Sequence, residues 1–323
     1  MVAHLKVLIA DKCDPTLPQI LTGKGHTVQQ DPSLKEASLS AAIAEMNPDV
    51  IMVRSTKVQK EQLDASSDIK MVIRLGAGYD TIDTAYAKEK GVSVCNTPGT
   101  NSVAVAELAF GLIVCLDRFL ADNVILARQG KWNKAEFSKA KGLKGQTVGL
   151  IGFGNIGKAL AARAKAFEMN VIVWSRSLTP EIAAKFGVEH AQTALEVAEK
   201  ADIVSLHVAN KPETKGMCNA EFFDKMKNGA CFINTARAAC VVEEDLINAM
   251  NTKGIRAGID VPAGEPSTGT GDFESPLTKH PNAYVSHHIG ASTEQAAAAV
   301  SEVALQVVDA FSTSGETLNR VNA

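Results

Sequence analysis

Two adjacent histidines, His287 and His288, follow a strand-like stretch in the segment YVSHHIGA at residues 284–291. Imidazole is the side chain whose ordinary pKa lies nearest to neutrality, so it can accept a proton in one direction of a reaction and return it in the other. Successive side chains of an extended chain point to opposite faces. We therefore expect one of the two histidines to face a reaction site and the other to face away.

A glycine-rich turn lies in VGLIGFGNIGKAL at residues 148–160, where Gly152, Gly154 and Gly157 have the GxGxxG spacing between a strand-like run and a helical pattern. In this context the first glycine permits a tight turn, the second lets a pyrophosphate approach the backbone, and the third lets helix and strand pack closely. The N–H groups at the start of the helix attract phosphate. The turn predicts a dinucleotide-binding domain.

The end of the next strand bears on which dinucleotide is bound. Sites for NAD usually carry Asp or Glu about 20 residues after the glycine turn, where it binds the ribose 2′-hydroxyl. This chain has WSRS at 174–177 instead. Ser175 and Arg176 suit a 2′-phosphate. We therefore expect NAD or NADP as the cofactor, with a preference for NADP. The alternative is a solvated Arg176 beside a site that accepts NAD through backbone contacts.

Short runs rich in Val and Ile alternate with helical patterns along nearly the whole chain, which is typical of parallel sheets covered by helices. Strands are predicted first at 5–10, 27–29, 50–54, 71–74 and 92–95. Six more are predicted at 147–151, 171–174, 203–207, 231–234, 257–260 and 283–287, with helices at 103–129 and 293–311. The predicted fold is α/β, with two Rossmann-like or flavodoxin-like doubly wound parallel-sheet domains and a cleft between them.

Composition argues against several classes of protein. The 323 residues have a net charge of −3 and no run of Lys or Arg, so nucleic acid and membrane surfaces are poor candidates for partners. No apolar stretch reaches the roughly 20 residues of a membrane span, and no signal peptide is evident. The six cysteines lack metal-site spacing. We expect no metal and reduced thiols in a cytoplasmic protein.

Seven segments together resemble the D-isomer-specific 2-hydroxyacid dehydrogenases, and most closely the members that act on D-3-phosphoglycerate. They are VRSTKV (53–58), RLGAGYDTID (74–83), NTPGTNSVAVAEL (96–108), GKWNKAEF (130–137), INTAR (233–237), DVPAGEP (260–266) and HHIGAST (287–293). The resemblance implies a discontinuous substrate-binding domain, 1–100 plus 291–323, and a dinucleotide-binding domain, 101–290. It also implies a homodimer, with residues 103–145 as the dimerisation arm.

The resemblance implies that Arg237, Glu265 and His288 are catalytic, while His287, standing where the family usually has Pro, faces away. Arg237 would bind the substrate carboxylate and keto oxygen. His288 would handle the proton that remains when hydride leaves an alcohol for nicotinamide. Glu265 would orient the ring and stabilise its charged form.

Binding residues are implied as well. Those for the cofactor are Gly152, Gly154, Asn155, Ile156, Gly157, Ser175, Arg176, His207, Val208, Thr235, Ala236, Asp260 and Gly290. Those for the substrate are Arg54, Arg74, Leu75, Gly76, Ala77, Asn101 and Lys134, of which Lys134 would come from a partner subunit. Arg54 and Arg74 match positions used for a phosphate, which needs at least two cations when desolvated, and Lys57 is a further cation near the turn at 75–78. The turn 75–78 would offer N–H groups to a carboxylate.

Two departures from the family pattern stand close to these residues. Pro262 replaces the usual Phe, and Ala238, Ala239 and Cys240 replace Gly-Gly-Ile, so we expect a slightly reshaped pocket floor.

The leading hypothesis is oxidation of D-3-phosphoglycerate to 3-phosphohydroxypyruvate, which commits carbon to serine synthesis, without serine feedback through a C-terminal regulatory domain. Two alternatives stay open. One is an NADPH-dependent reductase of glyoxylate, hydroxypyruvate or another 2-keto acid. The other is a non-catalytic NAD(H)-sensing binding protein.

Overall fold

The computed structural model describes residues 3–266 and 270–323. It divides into two compact units, Met1–Asn101 with Ser292–Ala323, and Ser102–Ala291. Each unit is built around one parallel sheet with helices, so the predicted fold class is confirmed. Within the described ranges, no helix combines the length and the apolar character needed to cross a membrane.

The first unit contains a five-stranded sheet in the order β2-β1-β3-β4-β5, which is the flavodoxin-like order. Its strands are β1 (Lys6–Ile9), β2 (Thr27–Gln30), β3 (Val50–Val53), β4 (Met71–Arg74) and β5 (Ser93–Asn96). Its helices are α1 (Thr16–Gly23), α2 (Glu36–Met46), α3 (Lys60–Asp64), α4 (Thr84–Glu89) and α14 (Glu294–Ser314).

The central strand β3 shows how the sheet is buried on both faces. Its sequence VIMV is apolar throughout, and all four side chains are buried. Ile51 and Val53 pack in one apolar cluster, while Val50 and Met52 pack in the other. Because successive side chains of a strand point to opposite faces, an uninterrupted apolar run is what a sheet covered on both sides requires.

The second unit contains a seven-stranded sheet in the order β12-β11-β10-β9-β6-β7-β8. Counted from β6, this is the Rossmann order 3-2-1-4-5-6 extended by one strand. Its strands are β6 (Thr147–Ile151), β7 (Asn170–Trp174), β8 (Glu189–His190), β9 (Ile203–Leu206), β10 (Cys231–Asn234), β11 (Arg256–Ile259) and β12 (Ala283–Val285). Its helices are α5 (Ser102–Arg118), α6 (Leu120–Arg128), α7 (Lys134–Phe137), α8 (Asn155–Ala166), α9 (Pro180–Phe186), α10 (Ala194–Lys200), α11 (Ala220–Lys225), α12 (Glu243–Lys253) and α13 (Pro276–Lys279).

The second sheet differs from the six strands predicted for it. The seventh strand, β8, has two residues and lies at the sheet edge, so it has no apolar alternation that could identify it. The strand predicted at 283–287 ends at Val285. Beyond it, the hydroxyl of Ser286 and the N–H group of Ile289 turn towards the carboxylate of Asp260.

The helix predicted over 103–129 is also divided, because Phe119 has a left-handed backbone with φ 53° between α5 and α6. The Arg256 guanidinium lies 4.0 Å from the Phe119 ring centroid and donates to the carbonyl of Leu116 near the end of α5. A cation at a helix C-terminus satisfies a carbonyl that the helix leaves unbonded. Arg256 therefore ends α5 in a way that the local sequence did not indicate.

In both units the loops that follow the strands leave one edge of the sheet, because all strands are parallel. In open α/β sheets this carboxyl edge is where ligands bind. The glycine turn, Arg176, His207, Arg237, Asp260 and His288 all follow strands of the second sheet.

Candidate functional site

The glycine turn after β6 has the geometry that the GxGxxG spacing predicts. Gly152 has φ 101°, and a Cβ atom there would lie 2.3 Å from the carbonyl oxygen of His207. A Cβ atom on Gly157 would lie 2.4 Å from the carbonyl oxygen of Gly152. Both positions therefore require glycine for close backbone packing.

Gly154 differs, since a Cβ atom there would have no heavy atom within 4 Å. It is the N-cap residue of α8 and, as a glycine, offers no side chain to cap the first N–H groups of that helix. The open space at a 12-residue helix N-terminus fits the pyrophosphate of a dinucleotide. Asn155 and Ile156 form the first turn of this helix, as the cofactor assignment requires.

Polar groups after β9 and β10 also fit a bound cofactor. The Thr235 hydroxyl is buried without a hydrogen-bond partner among the described residues, which suggests that a ligand supplies one. Next to it, the N–H group of Ala236 donates to Asn234 Oδ1 at 2.9 Å. Val208 lies beside the turn, with Cγ1 3.2 Å from the ideal Cβ position of Gly152.

His207 follows β9 and has a partly buried ring that lies 2.9 Å from the Ser205 hydroxyl, measured from Nε2. Desolvation lowers the pKa of His207 to about 4. The ring is therefore neutral near neutral pH. The backbone carbonyl oxygen of His207 contributes to the tight packing around Gly152.

His288 and Glu265 form a hydrogen-bonded pair. The His288 Nδ1 atom lies 2.8 Å from Oε1 and 2.9 Å from Oε2 of Glu265. Both side chains are partly exposed, at 49% and 40%, so a substrate can reach the ring. His287 is also exposed, and its side chain makes no hydrogen bond within the part of the chain that the structure describes. The two histidines therefore have different surroundings, but the alternation of an extended chain is not the reason, because the strand ends at Val285 and His288 has a left-handed backbone.

Asp260, predicted as a cofactor contact, binds the loop that carries His288. It is 1% exposed, and its Oδ1 accepts from the Ser286 hydroxyl at 2.6 Å and from the Ile289 N–H at 2.9 Å. Its Oδ2 accepts from the Gly290 N–H at 2.8 Å, and its carbonyl accepts from the His288 N–H at 2.9 Å. His288 itself has φ 50°, which is uncommon for a residue other than glycine. These four bonds hold it in that backbone conformation.

Arg237 follows β10, the strand that pairs with β11. Its Nη1 donates to the carbonyl of Ala236 at 2.7 Å, and its own carbonyl accepts from Asn234 Nδ2 at 3.0 Å. The predicted change in the pocket floor stays a prediction. Ala238–Cys240 forms a 3-10 turn, and none of these residues has a positive φ, so glycine is not required there.

Arg176 is exposed, as in the alternative considered from the sequence, and its guanidinium also forms an ion pair with Glu213. Glu213 lies in the loop after β9, and no sequence motif indicated it. Strand β9 lies next to β6, which lies next to β7, so the loops that carry Glu213 and Arg176 come close only in the folded sheet. The sequence alone does not show this proximity.

In the first unit, Arg54 follows β3 and donates from Nη2 to the Ser292 hydroxyl at 3.2 Å. The sequence did not indicate the residue that places it. Asp11, after β1, accepts the N–H groups of Arg54 at 2.6 Å, Ser55 at 3.0 Å and Thr56 at 2.9 Å. This 93%-buried carboxylate fixes the loop.

Arg74 ends β4, the neighbour of β3, and its guanidinium covers Gly76, which has φ 142°. The predicted anion nest at 75–78 has fewer available N–H groups than expected. The N–H of Leu75 donates to Val53 at 2.7 Å, and that of Gly76 donates to Arg74 at 2.9 Å. Only the N–H groups of Ala77 and Gly78 donate to no group among residues 3–266 and 270–323.

Asn101 and the two predicted lysines complete the set. The carboxamide oxygen of Asn101 is buried and has no hydrogen-bond partner within the described ranges. Lys57 is exposed in the first unit, and Lys134 is exposed on α7 of the second. Their proposed contacts with substrate stay predictions.

Comparisons with known proteins agree with this arrangement. The family model described as D-isomer specific 2-hydroxyacid dehydrogenase, NAD binding domain, matches residues 110–290. Hydroxypyruvate reductase of Thermotoga maritima is 38% identical over 296 residues, which are 91% of this chain and 94% of that protein. D-3-phosphoglycerate dehydrogenase of Rattus norvegicus is 34% identical over 307 residues, which are 94% of this chain but 56% of that protein.

A solved structure adds the cofactor. The NADPH-dependent glyoxylate/hydroxypyruvate reductase of Sinorhizobium meliloti, in complex with NADP and malonate, matches with a TM-score of 0.82 and 26% identity. The match covers 99% of this chain and 97% of that one. The predicted enzyme class and the expectation of NAD or NADP are therefore confirmed. The chain belongs to the D-isomer-specific 2-hydroxyacid dehydrogenases.

Proposed function

We propose that the protein oxidises D-3-phosphoglycerate to 3-phosphohydroxypyruvate with NAD or NADP, and catalyses the reverse reduction. The hydrogen-bonded pair of His288 and Glu265, at the sheet edge that carries the glycine turn, is the observation that supports the chemistry. The nicotinamide supplies the hydride acceptor or donor when it is bound.

His288 handles the proton in this proposal. Because Glu265 is hydrogen-bonded to Nδ1, Nε2 is the ring atom that accepts the proton of the substrate hydroxyl. Hydride leaves the carbon that carries this hydroxyl. Arg237 binds the carboxylate and stabilises negative charge on the substrate oxygen. Asp260 acts on the reaction by holding the loop that carries His288.

Two cations in the first unit support a phosphorylated substrate. Arg54 follows β3 and Arg74 ends the neighbouring strand β4, and the Arg54 guanidinium donates to a neutral hydroxyl, that of Ser292. A hydroxyl is more easily exchanged for a phosphate oxygen than a carboxylate is, because no ion pair has to be broken. We therefore assign substrate binding to this unit and dinucleotide binding to Ser102–Ala291.

The dimerisation arm at 103–145 is proposed on its exposed apolar surface. Helix α6 has no buried residue, and Leu120, Val124 and Ile125 are between 42% and 53% exposed. Trp132 is 88% exposed. A cluster of large apolar side chains of this kind marks an association surface, so it supports the homodimer.

Hydroxypyruvate reduction is the second candidate. It is favoured by the 38% identity to the Thermotoga maritima enzyme, which this chain matches over 94% of its length. Hydroxypyruvate and its 3-phosphate differ only in the phosphate group, so this pair of substrates distinguishes the two candidates.

The test compares 3-phosphohydroxypyruvate, hydroxypyruvate and glyoxylate with NADH and NADPH. We expect kcat/KM for the phosphorylated acid to exceed that for hydroxypyruvate by about 10-fold or more, as expected for a charge-assisted phosphate contact. Arg54→Gln should raise KM for the phosphorylated acid and leave KM for hydroxypyruvate unchanged. Lys90→Gln, which removes an exposed cation of the first unit outside the proposed site, is the control and should change neither value. Preferred turnover of hydroxypyruvate would support the second candidate instead. Cofactor binding without turnover of any 2-keto acid would support the non-catalytic alternative.

A further inference from the structure

The ion pair between Arg176 and Glu213 connects two loops that flank the glycine turn. Arg176 lies two residues beyond β7, and Glu213 lies seven residues beyond β9. Strand β6, which leads into the turn, pairs with both of these strands. The pair therefore lies at the carboxyl edge of the sheet, on the strands adjacent to the phosphate-binding loop.

The end of β7 is where a Rossmann domain contacts the 2′ position of the adenosine ribose. Arg176 is the cation at that place, and it is already neutralised by Glu213. Both side chains are accessible, at 62% and 47% exposure, so a cofactor can reach them. A 2′-phosphate carries up to two negative charges and would have to separate Arg176 from Glu213 before binding it.

Glu213 lies in a loop whose backbone is held by hydrogen bonds on both sides of it. The adjacent Thr214 is buried, and its hydroxyl donates to the carbonyl of Ala209 at 2.7 Å and accepts from the Lys211 N–H at 2.9 Å. The Gly216 N–H donates to the carbonyl of Ala239 at 2.8 Å, which joins the other end of the loop to the turn after β10. The backbone that carries Glu213 is therefore fixed, and only its side chain needs to move.

We propose that Glu213 is a specificity-determining residue for the cofactor, because its carboxylate competes with a 2′-phosphate for Arg176. NAD leaves the ion pair intact. NADP breaks it and brings its phosphate near a carboxylate. Glu213 thus weakens the preference for NADP that Arg176 alone would produce. This inference rests on the cofactor site of the proposed function, and it does not depend on the substrate.

The test measures equilibrium binding of NADH and NADPH by nicotinamide fluorescence in the absence of substrate. We expect Glu213→Gln to lower the Kd for NADPH about 5- to 20-fold and to change that for NADH less than about 2-fold, since one charge–charge contact with the 2′-phosphate is altered. Arg176→Gln should weaken NADPH binding, and the double variant Arg176→Gln with Glu213→Gln should not recover the lost affinity. Glu189→Gln, which breaks the exposed ion pair with Lys200, is the matched control and should change neither Kd.

Adenosine 2′,5′-bisphosphate and 5′-AMP provide a second readout by calorimetry, because they differ only in the 2′-phosphate. The bisphosphate should bind more tightly to Glu213→Gln, and 5′-AMP should bind unchanged. Unaltered NADPH binding, an equal change for both cofactors, or selective loss of NADH would overturn the inference. Absence of any cofactor binding would overturn the cofactor site as well. Tight cofactor binding without turnover would contradict the proposed function and leave this inference standing.

Discussion

The carboxylate of Glu265 straddles one ring nitrogen of His288, with Nδ1 2.8 Å from Oε1 and 2.9 Å from Oε2. A carboxylate only accepts hydrogen bonds, so Nδ1 carries the hydrogen in this contact. Nε2 is then the ring atom available to exchange a proton with a ligand. The loops after β11 and β12 supply the two residues, and both leave the same edge of one sheet.

Replacing Glu265 with Gln should lower kcat by roughly 10- to 100-fold, because the amide no longer selects one ring orientation and cannot stabilise the charged ring. The pair is partly exposed, so thermal stability should change by less than about 1 kcal/mol. His287→Ala, one residue away, is the control and should keep kcat within about 2-fold. An unchanged kcat in Glu265→Gln, measured under saturating substrate, would contradict the role given to this contact.

Asp260→Asn should destabilise the loop at 286–290. The amide replaces one acceptor oxygen with a donor that faces either a hydroxyl and an N–H group or the Gly290 N–H group. We expect a loss of about 2–4 kcal/mol in the free energy of unfolding, because buried donors lose a charged acceptor. Urea unfolding measures this, and hydrogen exchange should show faster exchange at Ile289 and Gly290. Ser286→Ala, which removes one of the donors, should cost only about 1 kcal/mol. Equal losses in the two variants would argue against the shared carboxylate.

Alanine substitution at two glycines of the turn should have different effects, on stability at Gly152 and on cofactor binding at Gly154. Gly152→Ala places a methyl group 2.3 Å from a backbone carbonyl oxygen at φ 101°, so we expect a loss of roughly 2 kcal/mol or more in stability. Gly154→Ala meets no atom within 4 Å, so stability should change by less than about 1 kcal/mol. Its methyl group should nevertheless weaken NADH binding by about 10-fold, since it projects into the space assigned to the pyrophosphate. Calorimetric melting and fluorescence titration measure the two effects. Unchanged NADH affinity in Gly154→Ala would move the pyrophosphate elsewhere.

His207 should make stability fall on acidification. Desolvation lowers its pKa in the folded state to about 4, below the ordinary value of 6.5. Between these pH values the unfolded chain binds a proton that the folded chain does not, so stability is lost as pH falls below about 6.5. From pH 7 to pH 5 this contributes a loss of up to roughly 2 kcal/mol.

Urea unfolding at pH 7 and pH 5 measures this contribution. His207→Gln should lose less stability than the parent over that interval, because its side chain does not titrate. His287→Gln, at an exposed histidine, should retain the parent pH dependence. The same dependence in all three proteins would show that His207 is not the group responsible.

The strands predicted for the first unit lie within one or two residues of those observed, and for the central strands the reason is an apolar run. β3 reads VIMV and β4 reads MVIR, so their burial on both faces is written in consecutive residues. β8 could not be predicted in the same way. It is held at the sheet edge by pairing of Glu189 with Ile172 and of His190 with Val173, which is a tertiary contact without a local pattern.

The same distinction between local pattern and tertiary contact applies to the candidate functional site. By itself the sequence determined the glycine turn and the strand after which each candidate residue stands, because these depend on neighbours along the chain. Only the tertiary structure decided which groups meet. Asp11 with Arg54, Asp260 with Gly290, and Arg176 with Glu213 are separated by 43, 30 and 37 residues. Such pairs form because parallel strands that are distant in sequence end at one edge, where a carboxylate from one loop reaches the donors of another.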